Sequence, residues 1–374
     1  MTEENNGKMM DQSVQNTVYL LSCAVNGVVP DVESINNMEL DGVLKVASRH
    51  MVSAAVSVAL KSAGKTDNAF SKALAQAQRK TVIFNNDFTQ IITAFEQAGI
   101  WYAPLKGMIL KGLYPQFAMR EMADIDILVD AERAADIKKI LEKLGFAAKS
   151  YGINNVDAYT KPPLSNIEIH KSLFGFQHDR RFFDYYYDVK SKLEKDSDNA
   201  FGYHFTPEDF YVFLIAHEYK HYQSAGTGLR SLLDTFVFLK KNRLDAEYIN
   251  SETEKLGIRE FEAANRKTAL ALFDGNGVLD DEMFEYIIES GTFGNLDHAV
   301  KNKLSSQGGG KVVYLLRRLL GIRGSNYCDY LRQRHPFFYK HKILLPFLPF
   351  YRLAYGIKKY PRRMKEEIKT VMRQ

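Results

Sequence analysis

The chain has 374 residues, 45% of them hydrophobic and 25% charged, a balance that suits one large or two modest globular domains and excludes a disordered or fibrous chain. Cys23 and Cys328 stand far apart without metal-ligand spacing, so no disulfide framework is implied and a reducing, cytoplasmic setting is expected. The first residues show no basic segment followed by an apolar run, and no run of about 18 apolar residues occurs, so neither a secretory signal nor a spanning helix is expected.

In chain order, residues 17–99 read as helices. The stretches 43–60 and 69–98 are rich in Ala, Leu, Lys and Gln, with apolar residues three and four apart, and Gly64 is placed to end a helix. Residues 100–104 form a short strand that feeds a Lys106-Gly107 turn. A helix over 108–114 then stops at Pro115. A strand is expected over 124–129 and an amphipathic helix over 131–144, ended by Gly145. Residues 146–151 and 156–161 are expected to pair antiparallel, ahead of a strand over 166–170. The class this predicts is α+β: a small mixed sheet with helices packed on it, flanked by extensive N- and C-terminal helices. The expected divisions are a helical region at 1–98, the core at 99–200, a second helical region at 201–330 and a tail at 331–374.

The chemistry concentrates in residues 104–130 and 166–170. Side chains two apart on a strand share a face, so Asp124 and Asp126 point together while Ile125 and Ile127 point into a core. Two carboxylates held side by side repel unless a cation sits between them, and a hard divalent ion, Mg²⁺ or Mn²⁺, suits the pair. By the same alternation Asn166, Glu168 and His170 share a face, which makes Glu168 a third carboxylate. Gly107 lets backbone approach a ligand, the following helix N-terminus offers free N–H groups to phosphate, and Lys106 and Arg120 supply cations. An Asp-x-Asp pair alone more often belongs to a solvated strand edge; these neighbours are what raise it to a candidate metal–nucleotide site.

From Thr206 onward the chain is mainly helical. Thr206-Pro207-Glu208-Asp209 combines an N-cap, a first-turn proline and acids at the positive end of a helix. Further helices are expected over 230–241, 259–273, 281–290 and 311–320, with a loop at 305–310. His217-Glu218-x-x-His221 matches the zinc-protease signature, but no Gly-x-x-His extension and no third ligand accompany it. The competing reading makes His217, His221, Arg230 and Asp234 a polar seam between helices, with a role toward substrate open to His170, His217, His221 and Arg230. The net charge of +5 hides a division: residues 332–374 carry 12 Lys/Arg against 2 Asp/Glu, and the rest carries 38 against 43. Eight aromatic residues between Phe337 and Tyr360 are interleaved with that charge. The tail suits an anionic membrane surface or nucleic acid, so the expected place is the cytoplasm, with a peripheral position at a membrane left open. The simplest reading has its rings covering the body and its cations in water.

The order Leu105-Lys106-Gly107, then Arg120-x-x-x-Asp124-Ile-Asp126-Ile-Leu-Val, then Ile167-Glu-Ile-His170, resembles the nucleotidyltransferase superfamily that includes DNA polymerase beta. It looks most like the bacterial branch of uncharacterised nucleotidyltransferases. His217-Glu-Tyr-Lys-His221, the Leu-Arg230-x-x-x-Asp234 segment and the pieces around Arg334-His-Pro-Phe and Ile343-Leu-Leu-Pro resemble the same branch, so the likeness covers most of the chain from about Ala94. Lys106-Gly107 stands where the superfamily has Gly-Gly or Gly-Ser. The resemblance implies that Asp124, Asp126 and Glu168 hold Mg²⁺ or Mn²⁺, that Lys106, Gly107 and Arg120 meet the nucleotide, and that an NMP passes from an NTP, ATP foremost, to a hydroxyl acceptor. The alternatives from other classes are a non-catalytic binding or scaffold protein on the same fold and the zinc protease.

Overall fold

A computed structural model describes residues 11–175, 179–275, 281–307, 310–320, 331–332 and 335–373. Helices α1 (Gln12–Asn26), α2 (Val32–Asn36), α3 (Leu40–Arg49) and α4 (Ser53–Ser62) lead into the thirty-residue α5 (Asn68–Gln97). Asp11, Asp31 and Asp67 start α1, α2 and α5 by accepting backbone N–H bonds in the first turn, which satisfies donors a helix start leaves open. The single run expected over 43–60 is two helices. Met51 adopts φ 53°, a left-handed conformation that interrupts the ladder and lets α4 run into the core.

The next elements are β1 (Tyr102–Pro104), α6 (Gly107–Leu110), β2 (Ile125–Val129), α7 (Ala134–Lys143), β3 (Ala147–Ser150), β4 (Val156–Lys161) and β5 (Ser165–His170). The strands form one mixed sheet in the order β1-β2-β5-β4-β3. β2 and β5 run parallel, and the other pairs are antiparallel, including the expected β3–β4 pair. The architecture is α+β. Ile125, Ile127, Ile167 and Ile169 are buried against Phe84, Ile91 and Phe95 of α5 and Ile137 and Leu141 of α7. Each buried isoleucine contributes roughly 1.5–3 kcal/mol. A one-residue slip of β2 would turn Asp126 into that apolar layer, so these isoleucines fix which way the carboxylates point.

The chain continues through α8 (Arg180–Tyr185) and a small β6 (Leu193–Lys195)–β7 (Tyr203–Phe205) pair. Helices α9 (Pro207–Ser224), α10 (Leu229–Lys241), α11 (Ala246–Leu256), α12 (Arg259–Phe273) and α13 (Asp281–Ser290) follow. Thr206 caps α9 as expected, its hydroxyl accepting from the Asp209 N–H at 3.1 Å. The run from Phe210 to Ala216 is buried, which makes α9 a central helix. A large core joins α1–α4, the start of α5, α9, α10 and α12, and it reaches Leu105 and Leu128 on the second face of the sheet.

Helices α14 (Leu296–Gln307), α15 (Gly310–Leu320), α16 (Pro336–Lys340), α17 (Leu348–Lys359) and α18 (Pro361–Arg373) complete the described chain. Residues 305–307, expected in a loop, belong to the last turn of α14; 308–309 and Cys328 lie outside the described residues. The tail departs from the simplest expectation. Phe338 and Leu348 are buried in a small cluster, but Phe337, Phe347 and Phe350 are exposed and do not cover the body. Among the described residues no helix is long and apolar enough to cross a membrane.

Candidate functional site

The sheet positions the acids. Asp126 in β2 stands in register with Glu168 on the parallel neighbour β5, and residues paired this way share a face. Asp124 precedes β2 by one residue and also faces the cleft. Asp126 Oδ1 accepts from Lys106 Nζ at 2.6 Å and lies 2.8 Å from His170 Nε2. His170 Nε2 is also 3.7 Å from Glu168 Oε2. Asp126, Glu168 and His170 offer ligand atoms within 4.8 Å of one another.

Burial and crowding set the electrostatics. Burial and the adjacent Asp126 push the Asp124 carboxyl up. Burial, then Asp126 and Asp124, push Glu168 up to about 7. Burial acts the same way on Asp126, but the Lys106 ammonium and His170 outweigh it and hold that carboxyl below its ordinary range. Burial lowers His170, so its ring is neutral and donates Nε2–H to Asp126. Its Nδ1 is buried without a hydrogen-bond partner.

The turn ahead of α6 is built differently from expectation. Lys106 adopts φ 42° and ψ −109°, a conformation glycine reaches freely and lysine only under strain. That backbone aims its side chain at Asp126. A Cβ on Gly107 would come within 2.8 Å of Arg120 Nη1, so glycine is needed here for side-chain packing. The amides of Met108, Ile109 and Leu110 are already bonded to the carbonyls of Leu105 and Lys106, and α6 has only four residues. This helix start therefore offers phosphate fewer free N–H groups than the sequence suggests.

Arg120 is also reassigned. It is buried, and it grips Asp234 of α10 with Nε to Oδ1 at 2.7 Å and Nη2 to Oδ2 at 2.8 Å, while Tyr114 donates to Oδ1 at 2.7 Å. A guanidinium spent on a bidentate pair is a positioning group. It clamps α10 to the segment ahead of β2. Arg230, one turn before Asp234, donates from Nη1 to the Glu121 carbonyl at 3.0 Å and lines the cleft.

The cleft is about 470 Å³ and gathers the ten residues singled out from the sequence. The sheet and α6 bring Lys106, Gly107, Asp124, Asp126, Glu168 and His170; Arg120 and Arg230 enter beside α10; α9 brings His217 and His221. His217 Nε2 and His221 Nε2 are 3.2 Å apart. Burial, with Lys106 and Lys220 nearby, holds His217 well below the usual histidine range, so it is neutral. The zinc-protease pattern does not assemble. Glu218 faces away from the histidine pair, buried, its Oε1 accepting from Asn265 Nδ2 of α12 at 2.8 Å. Among the described residues no third His, Cys, Asp or Glu joins His217 and His221 as a ligand set.

Among the cleft residues not singled out from the sequence, Lys220 and Phe293 bear on its chemistry. Lys220 lies beside the acids and 6.0 Å from the Phe174 ring centroid; burial, then Lys106, lower it to about 8. Its signal was present, since 217, 220 and 221 share a helical face. Phe293 stands at the cleft with 78% of its surface exposed. Its loop is held by Thr292 N on the Arg49 carbonyl (3.1 Å) and Asn295 N on the Ala225 carbonyl (2.9 Å), packed so closely that a Cβ on Gly228 would meet Thr292 N at 2.7 Å. Only the flanking Gly291 and Gly294 hinted at this turn.

Comparison with known proteins gives a family match: the model of a family described as uncharacterised nucleotidyltransferase matches residues 36–274. An antigenic nucleotidyltransferase-like protein from Paracoccidioides brasiliensis, known from a crystal structure, is similar over 56% of this chain and 97% of that one, with 16% identity and a TM-score of 0.35. No curated protein matches.

Proposed function

The chain belongs to the family of uncharacterised nucleotidyltransferases, and from that premise we propose that it moves a nucleoside monophosphate from a nucleoside triphosphate, ATP foremost, to a hydroxyl-bearing acceptor. The observation that carries the reading is the in-register pair Asp126–Glu168 on parallel strands, with Asp124 beside it, at one cleft. The order of these acids along the chain and their shared strand face support that reading.

The residues fit a divalent metal. Three carboxylates crowd one face and two of them are pushed up in pKa, a condition a cation relieves. Asp124, Asp126 and Glu168 would hold Mg²⁺ or Mn²⁺, which supplies charge neutralisation at the triphosphate and a more acidic acceptor hydroxyl. Around it this chain's residues do the positioning. His170 orients Asp126 through Nε2. Lys106, Lys220 and Arg230 present cations to phosphate oxygens. Phe293 offers an open ring for a base or another planar group. His217, neutral, and His221 beside it line the remaining volume, where an acceptor hydroxyl would lie.

The test is calorimetry with ATP, GTP, CTP and UTP, each with and without Mg²⁺, on the wild type and on Asp124→Asn/Asp126→Asn. Mg²⁺-dependent binding of one nucleotide, lost in the variant, supports the reading. A folded wild type that binds none of the four, with or without Mg²⁺, overturns it.

A further inference from the structure

The tail carries a surface that the transfer reaction does not use. One edge of helix α17 is covered: Leu348 is buried with Leu331 and Phe338, Gly356 packs against Met364 of α18, and Arg352 between them is half-buried. The rest of its surface faces solvent. Phe350, Leu353 and Ile357 fall three and seven residues apart, so they form one stripe, and Phe347 continues it by one step toward the N-terminus. Exposure is 62% for Phe347, 71% for Phe350 and 57% for Ile357, and Ile343 just before the helix reaches 91%. Leaving large apolar groups in water forgoes their burial energy, and a contiguous set of them marks a surface that meets something.

The flanks of the stripe have a different chemistry. Tyr351 and Tyr355 stack beside it, with centroids 6.1 Å apart. Lys359 Nζ donates to the Tyr355 hydroxyl at 2.8 Å and sits over the Tyr355 and Tyr360 rings. Lys340, Lys342, Lys358 and Arg362 are exposed around it. A row of Phe, Leu and Ile bordered by tyrosines and lysines matches the depth profile of a bilayer surface, with acyl chains under the stripe, tyrosines at the headgroup level and ammonium groups at lipid phosphates.

We propose that α17 and the turn before it dock this protein on the surface of an anionic phospholipid membrane, with the helix lying in the interface plane. Its twelve residues extend about 18 Å, short of the roughly 30 Å hydrocarbon core. Charge complementarity selects the anionic lipid, since 12 Lys/Arg face 2 Asp/Glu over residues 332–374. The aliphatic members of the stripe favour lipid over nucleic acid. A single strand gains from rings and cations, while Ile343, Leu353 and Ile357 give it no stacking surface. A second copy of the tail would bring like charge against like.

The experiment is co-sedimentation of the full chain with phosphatidylcholine vesicles, with and without phosphatidylserine. The wild type is expected in the pellet with phosphatidylserine vesicles and in the supernatant with phosphatidylcholine alone. Phe347→Ser/Phe350→Ser/Ile357→Ser is expected to cut the partition about tenfold or more. Lys358→Gln/Lys359→Gln should cut it about tenfold, and raised salt should mimic that loss. Both variants change exposed side chains, so circular dichroism and melting are expected to match the wild type. A wild type that stays in the supernatant with phosphatidylserine overturns the proposal, as does a triple-serine variant that pellets like the wild type. Retention of a polyuridylate oligomer in place of vesicles would assign the tail to RNA. A dimer that the triple-serine change dissolves, without vesicle binding, would assign it to a second copy.

Discussion

Two polar clusters meet at the cleft, one fully buried and one half-open to it, and they are built on opposite principles. In the seam between the segment ahead of β2 and α10, Asp234 receives both arms of the Arg120 fork and the Tyr114 hydroxyl. Charge balances charge, and both carboxylate oxygens have a donor. On the sheet face, Asp124, Asp126 and Glu168 crowd together, and Lys106 makes its ion pair with Asp126 alone. Two of those carboxyls are raised by burial and by each other. The difference teaches where to look for chemistry: a buried cluster that closes its own account holds the fold, and one left over-charged awaits a ligand.

Breaking each cluster in turn tests that division. The largest effect is expected for Arg120→Met, which leaves the Asp234 carboxylate buried and unpaired and costs about 3–5 kcal/mol of stability, read by chemical denaturation. Asp124→Asn should do the reverse: transfer falls on the order of 10³-fold, while the melting temperature moves far less than in Arg120→Met, because burial and Asp126 already disfavour that charge. An Asp124→Asn protein that melts as early as Arg120→Met would erase the distinction.

Glu218 sharpens the comparison, because it belongs to the fold and yet is badly matched. Burial pushes its carboxyl up to about 7 from an ordinary 4.5, and Oε2 has no partner. Between those two values the folded state keeps a proton that the unfolded state has lost, so this group makes stability fall as pH rises through the window and level off above it. Glu218→Gln should remove that fall. Its advantage over the wild type is near zero below pH 4.5 and grows to at most about 3 kcal/mol above pH 7, measured as denaturation midpoints at both ends. The smallest effect concerns the turn at Lys106. Lys106→Gly and Lys106→Ala both lose the ammonium, but only glycine relaxes at φ 42°. The glycine variant should be the more stable of the two by about 1–3 kcal/mol, and equal stability would mean the turn is unstrained.

Much of this was legible in the sequence for a physical reason. Strand alternation is rigid, so Asp126 and Glu168 against four isoleucines could be read directly, and capping at Thr206 follows from local hydrogen bonding. What stayed hidden depends on distant partners. Arg120 looked like a phosphate ligand because its mate, Asp234, lies 114 residues away. Gly107 looked like a phosphate turn because nothing local shows Arg120 packing over it. The break at Met51 has no glycine or proline to announce it. Phe293 is brought to the cleft by a loop whose backbone bonds reach Arg49 and Ala225, both distant in sequence.

Helix α5 has a mechanical consequence. Phe70 and Leu74 near its start are buried with the helical bundle, while Phe84, Ile91 and Phe95 further along are buried under the sheet. One unbroken rod of thirty residues, about 45 Å long, is thus bolted into two cores. A hinge between bundle and sheet would have to bend that rod in its middle, so the floor carrying the carboxylates stays fixed relative to the bundle. Breathing that admits a substrate is left to the rim of the cleft, where Asn154 and Asn155 stand on one side and the Phe293 loop on another.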